Sequence, residues 1–298
     1  MSETSINRAE NIKKKYKKRS QSADVWRRLK RNRMAMIGIF VIMIFLTMAI
    51  FADFIADYNS EVIKLNVKER LQEPSSNHWF GTDEYGRDIF SRIVHGTRIS
   101  LFVGVISVGI ALTFGGTLGA ISGYYGGKLD NIVMRLLDVL LAIPAILLAI
   151  TIVASMGASI VNLMIAVGIS NIPGFARVVR AAVLSVKDQE YIEAARSIGA
   201  KDHTIIIKHV LPNCLAPIIV YSTLKVATAI MATAGLSFIG LGVKPPAPEW
   251  GSMLAGGRAF IRDKMYIVLF PGLAIMATIL SLNLIGDGLR DALDPRLK

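Results

Sequence analysis

The stretch that decides the fold is residues 139–175, VLLAIPAILLAITIVASMGASIVNLMIAVGISNIPGF, which carries no charged side chain. The hydrocarbon core of a membrane is about 30 Å thick, and a helix rising about 1.5 Å per residue crosses it in ~20 residues. The stretch is therefore too long for a single crossing. We expect two spans, at about 132–154 and 160–178, separated at SMGAS, residues 155–159.

Four further apolar runs have the length of a membrane span, and only Lys225 places a charge inside any of them. These runs cover residues 34–52, 99–127, 214–240 and 265–285. Together with the two spans above, they predict an all-α integral membrane protein with six transmembrane helices and no separate soluble domain.

The net charge of +12 is concentrated at the N-terminal end, where residues 1–33 hold twelve Lys or Arg against three acids, a net charge of +9. A basic tail suits nucleic acid or anionic lipid, but this one directly precedes a predicted span, so we expect no nucleic-acid partner. Basic residues beside a span keep that end of the chain in the cytoplasm. We expect the tail to lie against membrane lipid, with Trp26 at the interface.

Six spans from a cytoplasmic start place both termini in the cytoplasm of a multi-pass protein of the plasma or inner membrane. The polar segment 179–212 then lies on the cytoplasmic face, and residues 241–264 lie outside. We divide the chain into a basic cytoplasmic tail, a first transmembrane helix with an extracytoplasmic segment, a five-helix domain and a cytoplasmic C-terminal tail: residues 1–33, 34–96, 97–288 and 289–298.

The sequence lacks the patterns of several kinds of active site. Its single cysteine, Cys214, excludes an internal disulfide. There is no G-x-x-x-x-G-K-[ST] phosphate loop, and the four histidines are scattered without metal-ligand spacing. No nucleophile and base stand in a recognisable arrangement. We therefore expect no catalytic residue, no metal and no cofactor in this chain, and do not expect it to be an enzyme.

Three glycines recur every four residues in the second predicted span, at Gly115, Gly119 and Gly123. Residues with this spacing share one face of a helix. Small residues on such a face let two helix backbones approach closely in lipid. We predict that this face packs against another span.

Asp138 and Lys225 lie inside predicted spans, where charge is costly and often functional. Asp138 follows Arg135 by three residues, so the two can pair on one helix face. Lys225 has no such neighbour. Two interpretations of it stay open: it lines a pathway or meets an acid of a partner subunit, or it is a structural lysine whose amine reaches the interface.

The polar segment 187–212 has the features of a short helix. An acidic cap and acidic first turn, a small-residue centre and a glycine stop follow one another at Asp188, Glu190, Glu193, Ala194, Ala195 and Gly199. Composition leaves two interpretations open. The segment is a solvated connector, or it is a helix that another surface covers closely.

The order Glu193-Ala194-Ala195, then Gly199, then Leu211-Pro212 resembles the EAA loop of ABC importer permeases. In that family the loop forms a coupling helix that sits in a cleft of an ATPase subunit. The resemblance implies an ATPase contact made by Tyr191, Glu193, Ala194, Ala195, Arg196, Gly199, Leu211 and Pro212. One departure is His209, where the family often has Ile; it affects a single side chain in the turn.

Longer motifs narrow the resemblance to the C-type permease subunits of the dipeptide, oligopeptide and nickel family. They are HWFGTDEYGRDIFSRIVHGTRISL (78–101), LSFIGLG (236–242), PEWGSML (248–254) and LNLIGDGLRDALDPR (282–296). The similarity covers roughly residues 25–298. It implies a type I ABC importer permease fold, with residues 97–288 as the permease domain and 187–212 as its EAA-like loop.

The same resemblance implies the function and the partners. The chain would form half of the translocation pathway for di- or oligopeptides, and a homologous B-type permease subunit would complete it. Two ATPase subunits would hold ATP and Mg, and an extracytoplasmic binding protein would deliver the substrate.

Three alternative functions stay open. The same architecture could import nickel or another small solute. A stand-alone secondary transporter would need coupling acids at mid-membrane, for which Asp138 alone is poor support. A membrane scaffold without transport would leave the EAA-like loop unexplained.

Overall fold

The computed structural model describes residues 21–294, which are predominantly helical and contain no β-strand, so the all-α class is confirmed. Residues 1–20 of the predicted basic tail and residues 295–298 of the C-terminal tail lie outside the described part. Their cytoplasmic placement stays a prediction.

Ten helices of eight or more residues follow one another within residues 21–294. They are α1 Gln21–Leu29, α2 Arg33–Ile50, α3 Ile89–Tyr125, α4 Gly127–Leu141, α5 Ala145–Met156, α6 Ile160–Val186, α7 Glu190–Ser197, α8 Leu215–Phe238, α9 Trp250–Gly257 and α10 Tyr266–Leu293. Shorter turns are α-helical at Ala52–Ile55 and Asp202–Ile205, π-helical at Tyr58–Ile63 and Ile206–Val210, and 3-10 helical at Val67–Glu69, Leu211–Cys214 and Arg258–Phe260.

Five continuous helical stretches are long and apolar enough to cross a membrane: Arg33–Ile50, Ile89–Tyr125, Ile160–Val186, Asp202–Phe238 and Tyr266–Leu293. Helices α4 and α5 qualify only as a pair, and they are bent by 82° where they meet. The span predicted at about 132–154 is therefore not one continuous helix. Pro144, which has no N–H and fixes its own φ, stands at the break. Because a count of six requires the bent pair to be one span, that count stays a prediction.

The predicted break at SMGAS is present. Helix α5 ends at Gly157, whose φ of 89° suits glycine, and the Ser159 side chain caps α6 by accepting from the Asn162 amide at 3.1 Å.

Helix α3 begins at Ile89, ten residues before the predicted start of this span at Ile99. The added turns carry charge, but the preceding segment covers them. Buried Arg92 donates through Nη1 to the Val62 carbonyl at 2.7 Å, and His95 Nε2 lies 2.9 Å from the Ala56 carbonyl. Polar groups that find such partners can be buried at a span's end without facing lipid.

The three glycines of α3 lie against α6. A Cβ built on Gly115 would meet the Ile172 carbonyl oxygen, and one on Gly119 would meet that of Ala176, both inside van der Waals contact. At Gly123 the nearest carbonyl oxygen would be 3.1 Å away. The absent side chains therefore let the two helix backbones approach closely.

The Pro- and Gly-rich segment 241–264 contains a helix that the sequence analysis did not predict, α9. The Glu249 side chain caps it by accepting from the amides of Gly251 at 2.9 Å and Ser252 at 2.8 Å. The buried Trp250 indole donates to the Ile93 carbonyl of α3 at 3.2 Å. These contacts fix α9 against α3.

The two ends of the described chain lie together. Leu29, Ala35 and Ala292 share one buried cluster, and Arg28 Nη1 donates to the Asp294 carbonyl at 3.4 Å. Helix α10 continues to Leu293, so the first residues of the predicted tail 289–298 are helical.

Candidate functional site

The candidate site is built on α7, the short helix that connects α6 with the stretch leading into α8. Glu190 and Glu193 lie in its first turn, near the positive end of the helix dipole. Asp188 was expected to cap this helix, and that expectation is wrong. The N-cap is Gln189, which makes no side-chain capping bond, because Asp188 still belongs to the turn that leaves α6.

The end of α7 is a Schellman turn, in which Gly199 has a φ of 81°. The Gly199 amide donates to the Arg196 carbonyl at 3.0 Å, and the Ala200 amide donates to the Ala195 carbonyl at 3.2 Å. A Cβ on Gly199 would meet nothing within 4 Å. The requirement for glycine here is therefore conformational and not a matter of space.

We expect Gly199→Val to misdirect the chain that leaves α7, because a β-branched residue is strained at positive φ. Gly199→Asn should be tolerated, since asparagine adopts this conformation readily. The measurement is uptake by membranes that contain equal amounts of each variant. We expect less than about a tenth of wild-type uptake for valine and near-normal uptake for asparagine. Equal uptake by both variants would contradict the conformational role.

One face of α7 belongs to the core of the protein. Ile192 is fully buried, and Ala195 is only 7% exposed. Both pack in one cluster with residues of α6 and of the stretch before α8, including Val183, Ile205 and Val210. Ala195 was expected to lie on the surface offered to an ATPase; the structure corrects this, because Ala195 faces the protein's own interior.

The exposed side of α7 carries an apolar stripe formed by Tyr191, Ala194 and Ile198. Their spacing places them on neighbouring turns of one face, and Ile198 is 85% exposed. The acids Glu190 and Glu193 are exposed beside the stripe. We call these three residues the α7 stripe. A partner surface would be needed to remove it from water.

A polar network joins this region to the end of α3. The Tyr124 hydroxyl donates to Asp202 Oδ1 at 2.8 Å, and Arg196 Nη2 donates to the Tyr124 hydroxyl at 3.4 Å. The Arg196 guanidinium also lies over the Tyr124 ring, 5.7 Å from its centroid, and the hydrogen bond to Tyr124 raises the pKa of Arg196. No sequence pattern predicts this role for Tyr124, because 78 residues separate it from Asp202.

Helix α6 is also bound to α4 by two ion pairs. Arg180 contacts both oxygens of Asp130 at 2.6 Å, and Arg177 Nη2 contacts Asp138 Oδ1 at 2.5 Å. The pairing of Asp138 with Arg135 on one helix face is therefore not observed. Arg177 reaches Asp138 from the neighbouring helix, whereas the Arg135 side chain is exposed.

The remaining predicted site residues lie around α8. Leu211 and Pro212 form the 3-10 turn that leads into it, with Leu211 packed against the same cluster as Ile192. Lys225 lies ten residues into α8, and its amine is 5.4 Å from the centroid of the Tyr221 ring. Within residues 21–294 no carboxylate lies within 4 Å of that amine.

Comparison with known families gives two matches along this chain. A family described as "Binding-protein-dependent transport system inner membrane component" matches residues 115–298. A second, described as "N-terminal TM domain of oligopeptide transport permease C", matches residues 20–74.

Individual relatives are similar over nearly the whole chain. The dipeptide transport system permease protein DppC of Alkalihalophilus pseudofirmus is 50% identical over 92% of this chain and 90% of its own length. The glutathione transport system permease protein GsiD of Pectobacterium atrosepticum is 47% identical over 92% of this chain and 91% of its own.

Among solved structures, a chain of the MetNI methionine ABC transporter in an inward-facing conformation matches with a TM-score of 0.56. It is 19% identical, and the match covers 68% of this chain and 97% of that one. A second crystal form of the same transporter matches with a TM-score of 0.57 at 18% identity. This likeness shows the fold.

Proposed function

This chain belongs to the family of binding-protein-dependent transport system inner membrane components, and from that premise we propose that it forms half of a pathway that imports di- and oligopeptides. The substrate class is supported by the relatives, which are named for a dipeptide and for glutathione, itself a short peptide. The fold is that of an ABC importer permease.

The observation that carries the proposal is the α7 stripe, an exposed apolar surface on a helix whose other face is fixed in the core. We propose that an ATPase subunit covers it. The chain's own sequence has no phosphate-binding loop, so ATP and Mg belong to two ATPase subunits and not to this chain. A B-type permease subunit would complete the pathway, and an extracytoplasmic binding protein would deliver the peptide.

The mechanism follows from how α7 is connected. Covalent links join it to α6 and towards α8, and the contacts of Tyr124 with Arg196 and Asp202 join this region to α3. Movement of the ATPases on binding nucleotide would displace α7, and the three long helices would follow as a body. Such rocking alternates the access of a central site between the two sides of the membrane.

The proposal is tested by purification and transport together. A tagged copy of this chain, expressed with its neighbouring transport subunits, should bring down two ATPases and a second permease. Cells that lack the system should lose uptake of dipeptides and regain it with the full set. Restored uptake of Ni²⁺ without peptide uptake would favour the nickel alternative, and transport by the purified chain alone would favour a secondary transporter.

We also propose that both termini are cytoplasmic, on the side of α7. The +9 charge of residues 1–33 supports this for the N-terminus, and Leu29 and Ala292 pack in one cluster, so the two ends of the described chain lie on the same side.

The orientation predicts which introduced cysteines meet an impermeant thiol reagent in intact cells. In a Cys214→Ala background, cysteine at the exposed positions Arg70 and Ala259 should be labelled from outside, and cysteine at exposed Lys201 should not. Lysed cells serve as the control, because all three positions should then react. Labelling of position 201 in intact cells would reverse the orientation.

A further inference from the structure

Three helices, α4, α6 and α8, each carry a charged side chain within about 16 Å of the helix end that lies on the α7 side. Lys225 is ten residues from the start of α8 at Leu215, and Arg177 is nine residues from the end of α6 at Val186. At about 1.5 Å per residue, each lies roughly 14–15 Å along its helix from the α7 end. Asp138, eleven residues into α4, lies at about 16 Å by the same count.

The start of α4 belongs to the same end of the molecule as α7. Helix α4 follows directly on α3, and Tyr124 in the last turn of α3 is bonded to Asp202 beside α7. The three distances are therefore measured along their helices from the same end of the molecule.

Contacts in this region join α4 to α6 and α6 to α8. Arg177 of α6 is paired with Asp138 of α4 at 2.5 Å. Three residues earlier, the backbone of Gly174 lies beneath the Tyr221 hydroxyl, and a Cβ there would be 2.5 Å from it. Lys225 lies one turn beyond Tyr221, over its ring.

Lys225 lies eleven residues into the apolar run 214–240, near the middle of that span, where lipid-exposed charge is strongly disfavoured. Its residue is partly buried, and ionisable side chains at such positions face the bundle interior or a water-filled cavity. The Arg177–Asp138 pair, whose side chains are 56% and 55% exposed, borders the uncharged run 139–175.

Among residues 21–294 no carboxylate lies within 4 Å of the Lys225 amine, whose described neighbour is the Tyr221 ring. We propose that Lys225 contacts the carboxylate of the solute in transit, a role that rests on the proposed function. Attraction between a lysine and a carboxylate is stronger in a passage walled by apolar helices than in open water. The contact would favour solutes with a free carboxyl end.

The first test asks whether Lys225 faces water. In a Cys214→Ala background, Lys225→Cys in the assembled transporter should react with a sulfonate-bearing methanethiosulfonate, with or without nucleotide. The matched control is Met231→Cys, an exposed apolar position on the same helix, about 120° around its axis, which should stay unreactive. An unreactive cysteine at 225 in every state would overturn the proposal.

The second test identifies the chemical group of the solute that Lys225 contacts. With saturating binding protein, uptake of a dipeptide is compared with uptake of its C-terminal amide. Lys225→Met should lower uptake of the free acid about five- to tenfold and leave the amide unchanged, while Lys225→Arg should retain both. An equal change for both peptides, or none, would overturn the carboxylate contact.

Two further outcomes separate the alternatives. Loss of the second permease from purified Lys225→Met complexes would show that Lys225 pairs with an acid of that subunit, against the proposal. If the wild-type complex carries neither peptide although position 225 reacts with the reagent, the proposed function fails and the carboxylate assignment fails with it, while the aqueous position of Lys225 stands.

Discussion

Ala194→Arg is expected to abolish capture of the ATPase subunits and, with it, peptide uptake. Ala194 is the small central member of the α7 stripe, between Tyr191 and Ile198. A close-fitting partner would meet a long charged side chain where it now meets a methyl group, and residues at the centre of an interface dominate its affinity. We expect ATPase recovery to fall by more than about tenfold, which is roughly 1.4 kcal/mol of binding free energy or more.

The matched control is Gln189→Arg, which adds the same side chain at the exposed N-cap of α7, about 140° around the helix axis from Ala194. Both variants should reach normal levels in the membrane, since neither position is buried. The measurement is the ratio of ATPase to permease after purification from membranes. Normal recovery with Ala194→Arg would show that the stripe does not dock an ATPase.

Ala195→Arg would not be an equivalent test, although the sequence motif treats the two alanines alike. Ala195 packs with Ile192 inside the protein, so an arginine there must displace α7 from its own core. A variant of this kind loses ATPase binding through misfolding as readily as through a blocked surface. Because Ala194 is exposed and Ala195 is buried, only the substitution at Ala194 tests the docking surface.

The sequence predicted the long helices well because membrane spans are recognisable from composition alone. The prediction of a continuous helix failed where a single residue breaks the helix inside an apolar run. Pro144 lies in the middle of an uninterrupted apolar run, yet it stands at the 82° bend between α4 and α5. Helix α9 was missed for the opposite reason: prolines and glycines around it suggested a loop, while Glu249 supplied a cap.

For the candidate site, features that depend on neighbouring residues were predicted correctly, whereas contacts between residues far apart in the sequence were not. The need for glycine at position 199 follows from its place at a helix end, and the structure has it at positive φ. Which alanine of the motif faces inward depends on how α7 rests on α6 and on residues 205–210. Likewise, the partner of Asp138 is 39 residues away in sequence, at Arg177, so no pattern within one helix identifies it.

Gly119→Leu is expected to prevent normal assembly of the membrane domain. The Gly119 Cα faces the backbone of Ala176 on α6, and even a Cβ would overlap its carbonyl group. Backbone atoms cannot rotate away as a side chain can, so α3 and α6 must separate and lose the contacts along their shared length. Overpacking of this kind costs about 1–3 kcal/mol in ordinary cores, and a backbone clash lies at or above the upper end.

Gly109→Leu is the matched control, because a Cβ on Gly109 of the same helix meets nothing within 4 Å. Leucine there removes a helix-weakening glycine and should be neutral or slightly stabilising. The measurement is the melting temperature of the detergent-solubilised protein, with Gly119→Ala as an intermediate step. We expect the order wild type, then alanine, then leucine at position 119, with the leucine variant poorly recovered. If Gly119→Leu and Gly109→Leu melt at the same temperature, α3 and α6 are not held together by close backbone contact at this position.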